Sequence, residues 1–367
     1  MRAWFASFRY FDLILFGSST LLLLLGMLMI YSTTLEGSSN LLIKQAVAAV
    51  AGYIIMFGVA FFDYRNLKKA TPFLYVGIIL ALLYVWFFAT PIRGSARWID
   101  FGFFQLQPAE FAKLIAVIIM AKFLDQQGER LKSFRYVLLS AIYIAIPALL
   151  ILIEPDLGSA LVLFGTWFCM LMFSTMRKKH IFILVAVIVL LAVVAWFFLL
   201  HDYQKERVFT FIDPNLDPRG SGYNVIQSII AVGSGGLLGR GLGRGLQSQL
   251  KFLPERQTDF IFASTAEELG LIGSTVILSL FVLILVRFVK TAKRARDNFG
   301  MYLSLGVFFM MIIQVVVNIG MNIGILPVTG IPLPLLSYGG SSLLNTFLAL
   351  GIVQSVVARQ KALKFGG

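Results

Sequence analysis

Ile181-Phe-Ile-Leu-Val-Ala-Val-Ile-Val-Leu-Leu-Ala-Val-Val-Ala-Trp-Phe-Phe-Leu-Leu200 is a run of twenty residues with no charge and no helix breaker. About 20 apolar residues in a helix cross the hydrocarbon of a bilayer, so this segment reads as a span. Its flanks differ in kind. Arg177-Lys-Lys179 precedes it, and a polar stretch, 201–258, follows.

Working outward, further apolar runs lie at about 12–31, 41–62, 71–90, 108–124, 136–153, 157–175, 259–287, 300–323 and 335–358, making ten in all. Apolar residues form 59% of the 367-residue chain and charged residues 13%. A soluble domain of that size could not cover its surface with so few charges. The expectation is an all-α, polytopic integral membrane protein. It has about ten transmembrane helices in a single domain, with one long structured extracytoplasmic loop, about 201–258, between the seventh and eighth. Arg2 and Arg9 ahead of the first run imitate a signal peptide, but the run is long enough to span and no small-residue cleavage site follows. It is read as the first helix. Cys169 is the single cysteine, so no intrachain disulfide can form.

The net charge of +13 does not indicate nucleic acid, because the cations sit in short clusters between apolar runs, as the positive-inside rule requires. With the N-terminus cytoplasmic, every inner segment is basic: Arg65, Lys68 and Lys69; Lys122, Arg130, Lys132 and Arg135; Arg177 to Lys179; Arg287 to Arg296; and Arg359, Lys361 and Lys364. Both termini then fall inside. Two outer segments are basic as well. One carries Arg93 and Arg97, and the long loop carries Lys205, Arg207, Arg219, Arg240, Arg244, Lys251 and Arg256. Long loops translocate whatever their charge; an anionic ligand on the outer face, pyrophosphate above all, is the sharper reading.

The loop carries its own structure signals. Asp213-Pro-Asn-Leu-Asp-Pro218 is turn chemistry, and 223–232 reads as an amphipathic helix. The run Gly233-Ser-Gly-Gly-Leu-Leu-Gly-Arg-Gly-Leu-Gly-Arg-Gly245 permits close backbone approach to a ligand. It lacks the Lys-Ser/Thr and the strand of a nucleotide-binding loop. Asp259 stands where the loop returns to an apolar helix. A carboxylate kept near the bilayer boundary is a site candidate, since at the centre of a span it costs roughly 2.5–3.5 kcal/mol.

Other polar residues divide between structural and functional readings. Glu110 and Lys113, three apart, share a helix face and form either a self-neutralising pair or part of a cavity wall with Lys113 toward an anion. Asp156 fits an N-cap of the following helix, or a second carboxylate on the face of Asp259. Glu267 and Glu268 are better explained by a structural network. Gln314, Asn318 and Asn322, at i, i+4 and i+8, suit interhelical hydrogen bonding. Residues 337–342, rich in Ser and Gly, suit close packing or a cavity lining. Only His180 and His201 occur, without metal-ligand spacing, so the chemistry rests on carboxylates and bases.

Six motifs, in order along nearly the whole chain, resemble the SEDS (shape, elongation, division and sporulation) family. They are Gln107-Pro-Ala-Glu-Phe-Ala-Lys113, Glu154-Pro-Asp-Leu-Gly158, Gly222-Tyr-Asn-Val-Ile-Gln-Ser228, Phe252-Leu-Pro-Glu-Arg-Gln-Thr-Asp-Phe-Ile-Phe262, Ala266-Glu-Glu-Leu-Gly270 and Pro334-Leu-Leu-Ser-Tyr-Gly-Gly-Ser341. His201-Asp-Tyr-Gln-Lys-Glu-Arg-Val208 and Gly330-Ile-Pro-Leu-Pro-Leu335 look like the elongation branch, RodA, rather than the division branch, FtsW. Gln257 departs from some RodA proteins, which have His there.

The resemblance implies polymerisation of peptidoglycan glycan strands from lipid II at the outer face of the bacterial plasma membrane. A class B penicillin-binding protein is the implied partner and transpeptidase. Carried over by motif, Asp259 is the essential aspartate, with Glu110, Lys113 and Asp156 as cavity residues. Asp259 would act as general base on the acceptor 4-hydroxyl, with inversion at C1. Lys113, Arg93, Arg97, Arg207 and Arg256 would hold the departing pyrophosphate. A divalent cation, Mg²⁺ or Mn²⁺, could share that task, although no ligand cluster is legible. Two rivals are a flippase for the same lipid-linked precursor and a noncatalytic scaffold for the penicillin-binding protein. Transport commonly uses inverted repeats around a midplane site; no such repeat is visible, and the carboxylates lie toward one face.

Overall fold

The computed structural model describes residues 11–34, 40–89, 97–102, 104–198, 202–218, 220–250 and 252–361. Arg93, Arg219, Lys251 and His201 therefore lie outside the described residues. Helices α1 (Leu13–Thr33), α2 (Asn40–Phe61) and α3 (Arg65–Phe88) are followed by a short antiparallel pair, β1 (Ile99–Asp100) with β2 (Gln105–Leu106). Then come α4 (Pro108–Gln127), α5 (Phe134–Ile153), α6 (Leu157–Met172) and α7 (Lys178–Phe198). The loop region holds α8 (Asp202–Ile212), α9 (Ser221–Ser234) and the four-residue α10 (Leu246–Gln249). Helices α11 (Ile261–Lys293), α12 (Asn298–Asn322) and α13 (Gly340–Lys361) complete the chain.

Ten apolar helices thus occupy the ten expected runs among the described residues. Eight are long and apolar enough to cross a bilayer. The other two are α4, which carries Glu110, Lys113, Lys122 and Asp125, and α6, which has only 16 residues. Both are held inside the bundle: α12 packs on α4 and on α6. Helix α13 lies along α2, so close that a Cβ at Gly351 would sit 2.8 Å from the Met56 carbonyl. Small residues permit such approach where lipid gives no hydrophobic drive between helices.

Two helix boundaries differ from the sequence reading. Helix α3 begins at Arg65, ahead of the expected 71, and runs through Pro72. Thr71 Oγ1 donates to the carbonyls of Leu67 (2.8 Å) and Lys68 (3.2 Å), which satisfies the oxygen that Pro72 has no N–H to reach. Conversely, the last helix starts at Gly340, because 331–339 forms an extended, turn-containing segment around Pro332 and Pro334.

Helix α11 is broken at Gly270 (φ 66°, ψ −163°), a backbone state essentially reserved for glycine. The glycine run fills the break. The amides of Arg240 and Gly241 donate to the carbonyls of Glu267 and Glu268 at 3.0 Å each, and those of Leu271 and Ile272 donate to Gly236 (2.9 Å) and Leu237 (3.2 Å). The glycines therefore admit backbone to backbone rather than backbone to a ligand. Glu267 and Glu268 serve the same junction. Glu267 accepts from Gln247 N and from Ser248 N and Oγ; Glu268 accepts from Ser32 Oγ, Gly243 N and Gln249 Nε2. At Gly270 an added Cβ would lie 2.3 Å from Gly239 N. Gly270→Ala should destabilise the protein by about 1–3 kcal/mol or more, read as a lower unfolding midpoint and faster proteolysis of 236–245. An unchanged midpoint would contradict the docked-loop geometry.

Candidate active site

Asp259 lies in the turn immediately ahead of α11, where the loop comes back to the bundle. Its backbone is clamped. The Asp259 carbonyl accepts from Asn318 Nδ2 and Asn322 Nδ2, each at 3.0 Å, and Asn322 Oδ1 accepts from Ala263 N at 3.0 Å. Just upstream, Ser337 Oγ donates to Thr258 O (2.6 Å) and Tyr338 N donates to Gln257 O (2.8 Å). The polar stripe of α12 and the Ser-Tyr segment before α13 thus hold one turn of chain from two sides.

The side chain is treated differently. Among the described residues no hydrogen bond reaches the Asp259 carboxylate, which is half-buried. Facing it is Gly330, where an added Cβ would stand 3.5 Å from Oδ2. Burial first, then the charges of Glu255 and Asp156, push the Asp259 carboxyl up to about 6; Arg207 and Arg97 oppose that rise. A base held near the working pH is the arrangement general-base catalysis needs.

The surrounding groups come from four separate segments. Arg97 donates Nε to Glu154 O (3.0 Å) and Nη2 to Pro155 O (2.5 Å), binding the β1 approach to the α5–α6 turn. Arg207, on α8, donates to Val328 O at 3.3 Å. Asp156 caps α6 by accepting from Ser159 N (3.0 Å), while its other oxygen accepts from Gln107 Nε2 (3.0 Å). Gln107 immediately precedes α4, on which Lys113 Nζ meets Glu110 Oε1 at 2.7 Å. That pair is enclosed, with Lys113 and Glu110 only 1% and 2% exposed, and Glu110 Oε2 has no hydrogen-bond partner among the described residues.

A family model described as cell cycle protein, spanning FtsW, RodA and SpoVE, matches residues 12–362. The chain belongs to that family. It is 39% identical to the peptidoglycan glycosyltransferase MrdB of Escherichia coli strain K12, over 94% of each chain. It is equally 39% identical to stage V sporulation protein E of Bacillus subtilis, over 94% of this chain and 96% of that one. Among solved structures, a chain of a peptidoglycan synthase complex that coordinates polymerization and crosslinking superposes with a TM-score of 0.82 at 33% identity, covering 96% of this chain and 99% of that one. RodA of Thermus thermophilus superposes at 0.72 and 28% identity, with 96% and 98% covered.

Within this family member, the charges of Asp156, Arg97 and Arg207 all act on Asp259. Glu110 and Lys113 connect to that group through Gln107. Arg256 takes another course: it is buried and donates to Ser248 O in α10. Among the described residues no three His, Cys, Asp or Glu side chains group as a metal site. The sequence reading passed over Glu154, 3% exposed, whose two side-chain oxygens have no hydrogen-bond partner among the described residues and whose carboxyl is pushed up to about 8 by burial and by Asp156, against Arg97. Its only signal was its place beside Asp156.

Positioning by the asparagines is testable. Asn322→Ala, which removes a donor to Asp259 O and the acceptor for Ala263 N, should lower glycan polymerisation about 10²-fold, the order expected for a 1 Å misplacement. Asn322→Asp keeps the acceptor and should retain more activity than Asn322→Ala. Equal rates for both variants and the native protein would remove Asn322 from the account.

Proposed function

We propose that this chain is a peptidoglycan glycosyltransferase that polymerises lipid II, with Asp259 as its general base. One observation carries the reading: a carboxylate whose backbone is held by α12 and by the segment before α13, whose side chain accepts no hydrogen bond among the described residues, and whose pKa is raised to about 6 against the charges of Arg207 and Arg97. The glycosyltransferase names of its relatives support the reaction class. In the proposed step the acceptor 4-hydroxyl gives its proton to Asp259 as its oxygen attacks C1 of the donor. The C1–O bond to undecaprenyl pyrophosphate breaks, the leaving group keeps the electron pair, and C1 inverts. In this reading Arg97 and Arg207, whose charges act on Asp259, supply donors to the departing charge, and the buried Lys113–Glu110 pair supports the site from α4. No step here runs through a metal; a divalent cation sharing the pyrophosphate charge is tested by chelation.

We place this mouth on the outer face, with both termini cytoplasmic. The opposite end of the bundle gathers the basic connections, where Arg65 pairs with Asp297 (3.1 Å), Arg287 with Asp12 (2.6 Å) and Arg359 with Asp63 (3.4 Å). Cationic connections stay on the cytoplasmic side. The role assigned is elongation, on the RodA-like residues 330–335 and on likeness to the rod shape determining protein RodA of Thermus thermophilus. A class B penicillin-binding protein is the proposed partner, consistent with likeness to a complex that couples polymerization and crosslinking.

Transport is disfavoured by the break at Gly270. Discontinuous helices in transporters leave backbone groups free for an ion or substrate, but here residues 236–241 take up the carbonyls of Glu267 and Glu268 and the amides of Leu271 and Ile272. The deciding experiment supplies labelled lipid II to the purified protein with its cognate penicillin-binding protein, crosslinking blocked by a β-lactam. Glycan ladders are the expected product. Movement of lipid II across vesicles without ladders would instead establish transport, and a partner stimulated without either would establish a scaffold.

A further inference from the structure

At the end of the bundle away from Asp259, a second site is built from residues that take no part in the mechanism above. Helix α5 joins the two ends: its last turn leads to Glu154 and Asp156, and its first turn opens on an open cavity of about 580 Å³. Twenty residues of helix put them about 30 Å apart, the thickness of the hydrocarbon layer.

The cavity is cationic. Arg130, Lys132, Arg177 and Lys179 line it against one carboxylate, Glu129, which pairs with Lys132. Arg177 and Lys179 make no ion pair among the described residues. Arg130 lies over the Tyr136 ring, 5.9 Å from its centroid, which orients a guanidinium at the rim. Helix ends add to this charge. Ser133, the N-cap of α5, makes no side-chain capping bond, and α7 begins at Lys178 beside the same cavity. First-turn amides and the helix dipole favour an anion at such ends. His180, in the first turn of α7, also lines the cavity. It is 4% exposed, and its Nδ1 is buried with no hydrogen-bond partner among the described residues.

Topology alone would account for basic residues scattered along cytoplasmic connections. It does not account for four of them, two helix N-termini and a buried imidazole whose Nδ1 accepts no hydrogen bond among the described residues, all gathered on one open basin. One turn further along the two helices, Leu138 and Phe182 are exposed apolar side chains. We propose that this cavity binds a phosphate-bearing anion, and that its apolar flanks assign it to the headgroup of an anionic phospholipid in the leaflet opposite the active site. Basic pockets at helix ends recognise such headgroups through phosphate, with roughly 1 kcal/mol from each cation. The site is independent of the glycosyltransferase reading, since its readout is binding.

The test is lipid retention by the purified full-length chain, measured by native mass spectrometry after equilibration with mixed phosphatidylglycerol and phosphatidylethanolamine. Arg177→Gln with Lys179→Gln should weaken phosphatidylglycerol binding about thirtyfold. The charge-keeping pair Arg177→Lys with Lys179→Arg should bind nearly as the native chain does. Lys290→Gln with Lys293→Gln removes as much charge from another basic connection and should change little. Equal losses at both neutralised pairs, or no preference for phosphatidylglycerol in the native chain, would overturn the proposal. Inorganic phosphate is the competitor: if it displaces the lipid and alone binds in a manner lost with Arg177 and Lys179, the lipid assignment falls and a soluble anion takes its place.

Discussion

Asp259→Asn should abolish glycan polymerisation from lipid II while leaving folding and partner binding intact. Asparagine keeps the shape of the side chain and removes the base. Because the clamp from Asn318 and Asn322 grips the backbone carbonyl, the loop should hold its geometry in the variant. A positioned base contributes about 10²–10⁴-fold, so the variant should fall by at least that order in a ladder assay. Polymer formed at the native rate would dismiss Asp259 as the base. The native enzyme should also show an acid limb. The base must be ionised, and burial with Glu255 and Asp156 raises its carboxyl to about 6. The ionised form prevails above that value and is lost as pH falls through it, by about tenfold in rate for each unit below. A flat profile down to the ordinary range of an aspartate would show that burial and the neighbouring carboxylates do not raise Asp259.

Lys113→Met should be the most destabilising single change at the site. Lys113 and Glu110 are almost wholly enclosed and meet at 2.7 Å. Removing one partner leaves an uncompensated buried charge, at about 3–5 kcal/mol. Glu110→Gln combined with Lys113→Met removes both charges and should recover most of the unfolding midpoint, since a buried pair exchanged for neutral residues is often close to neutral in stability. Ladder assays on the recovered double variant then isolate any catalytic share of the pair. Full activity would confine Lys113 and Glu110 to structure, whereas a stable but inactive protein would place them in the chemistry. A Lys113→Met midpoint equal to the native one would mean that the pair is not buried.

Several parts of the site were legible because they are locally anomalous. Asp259 stands out as a carboxylate at the entrance to an apolar helix. Asp156 before Leu157-Gly158-Ser159 has the form of a cap, and it caps α6 while also accepting from Gln107. The α12 stripe was readable as hydrogen-bonding residues from its helical spacing. Its partner, the Asp259 carbonyl some sixty residues earlier, was not. Arginine is harder still. Arg97 and Arg207 sit within reach of Asp259 while Arg256, three residues from it in sequence, donates to Ser248 O. Charge identifies a cation, and only packing says where the guanidinium ends.

Membrane class, the number of apolar runs and the side on which cations gather were decided by the sequence itself. Transfer into lipid and retention of charge on one side act residue by residue or over a single helix, so composition along the chain carries them. The tertiary structure decided what required a distant partner. Gly270 in an apolar run looks like an ordinary helix glycine until residues 236–241 enter the break and satisfy four backbone groups. The Asp259 carboxylate is poised because burial and the charges of Glu255, Asp156, Arg207 and Arg97, brought from separate segments, act on it together. Each is a long-range contact, and its energy exists only once the chain has closed the loop that makes it.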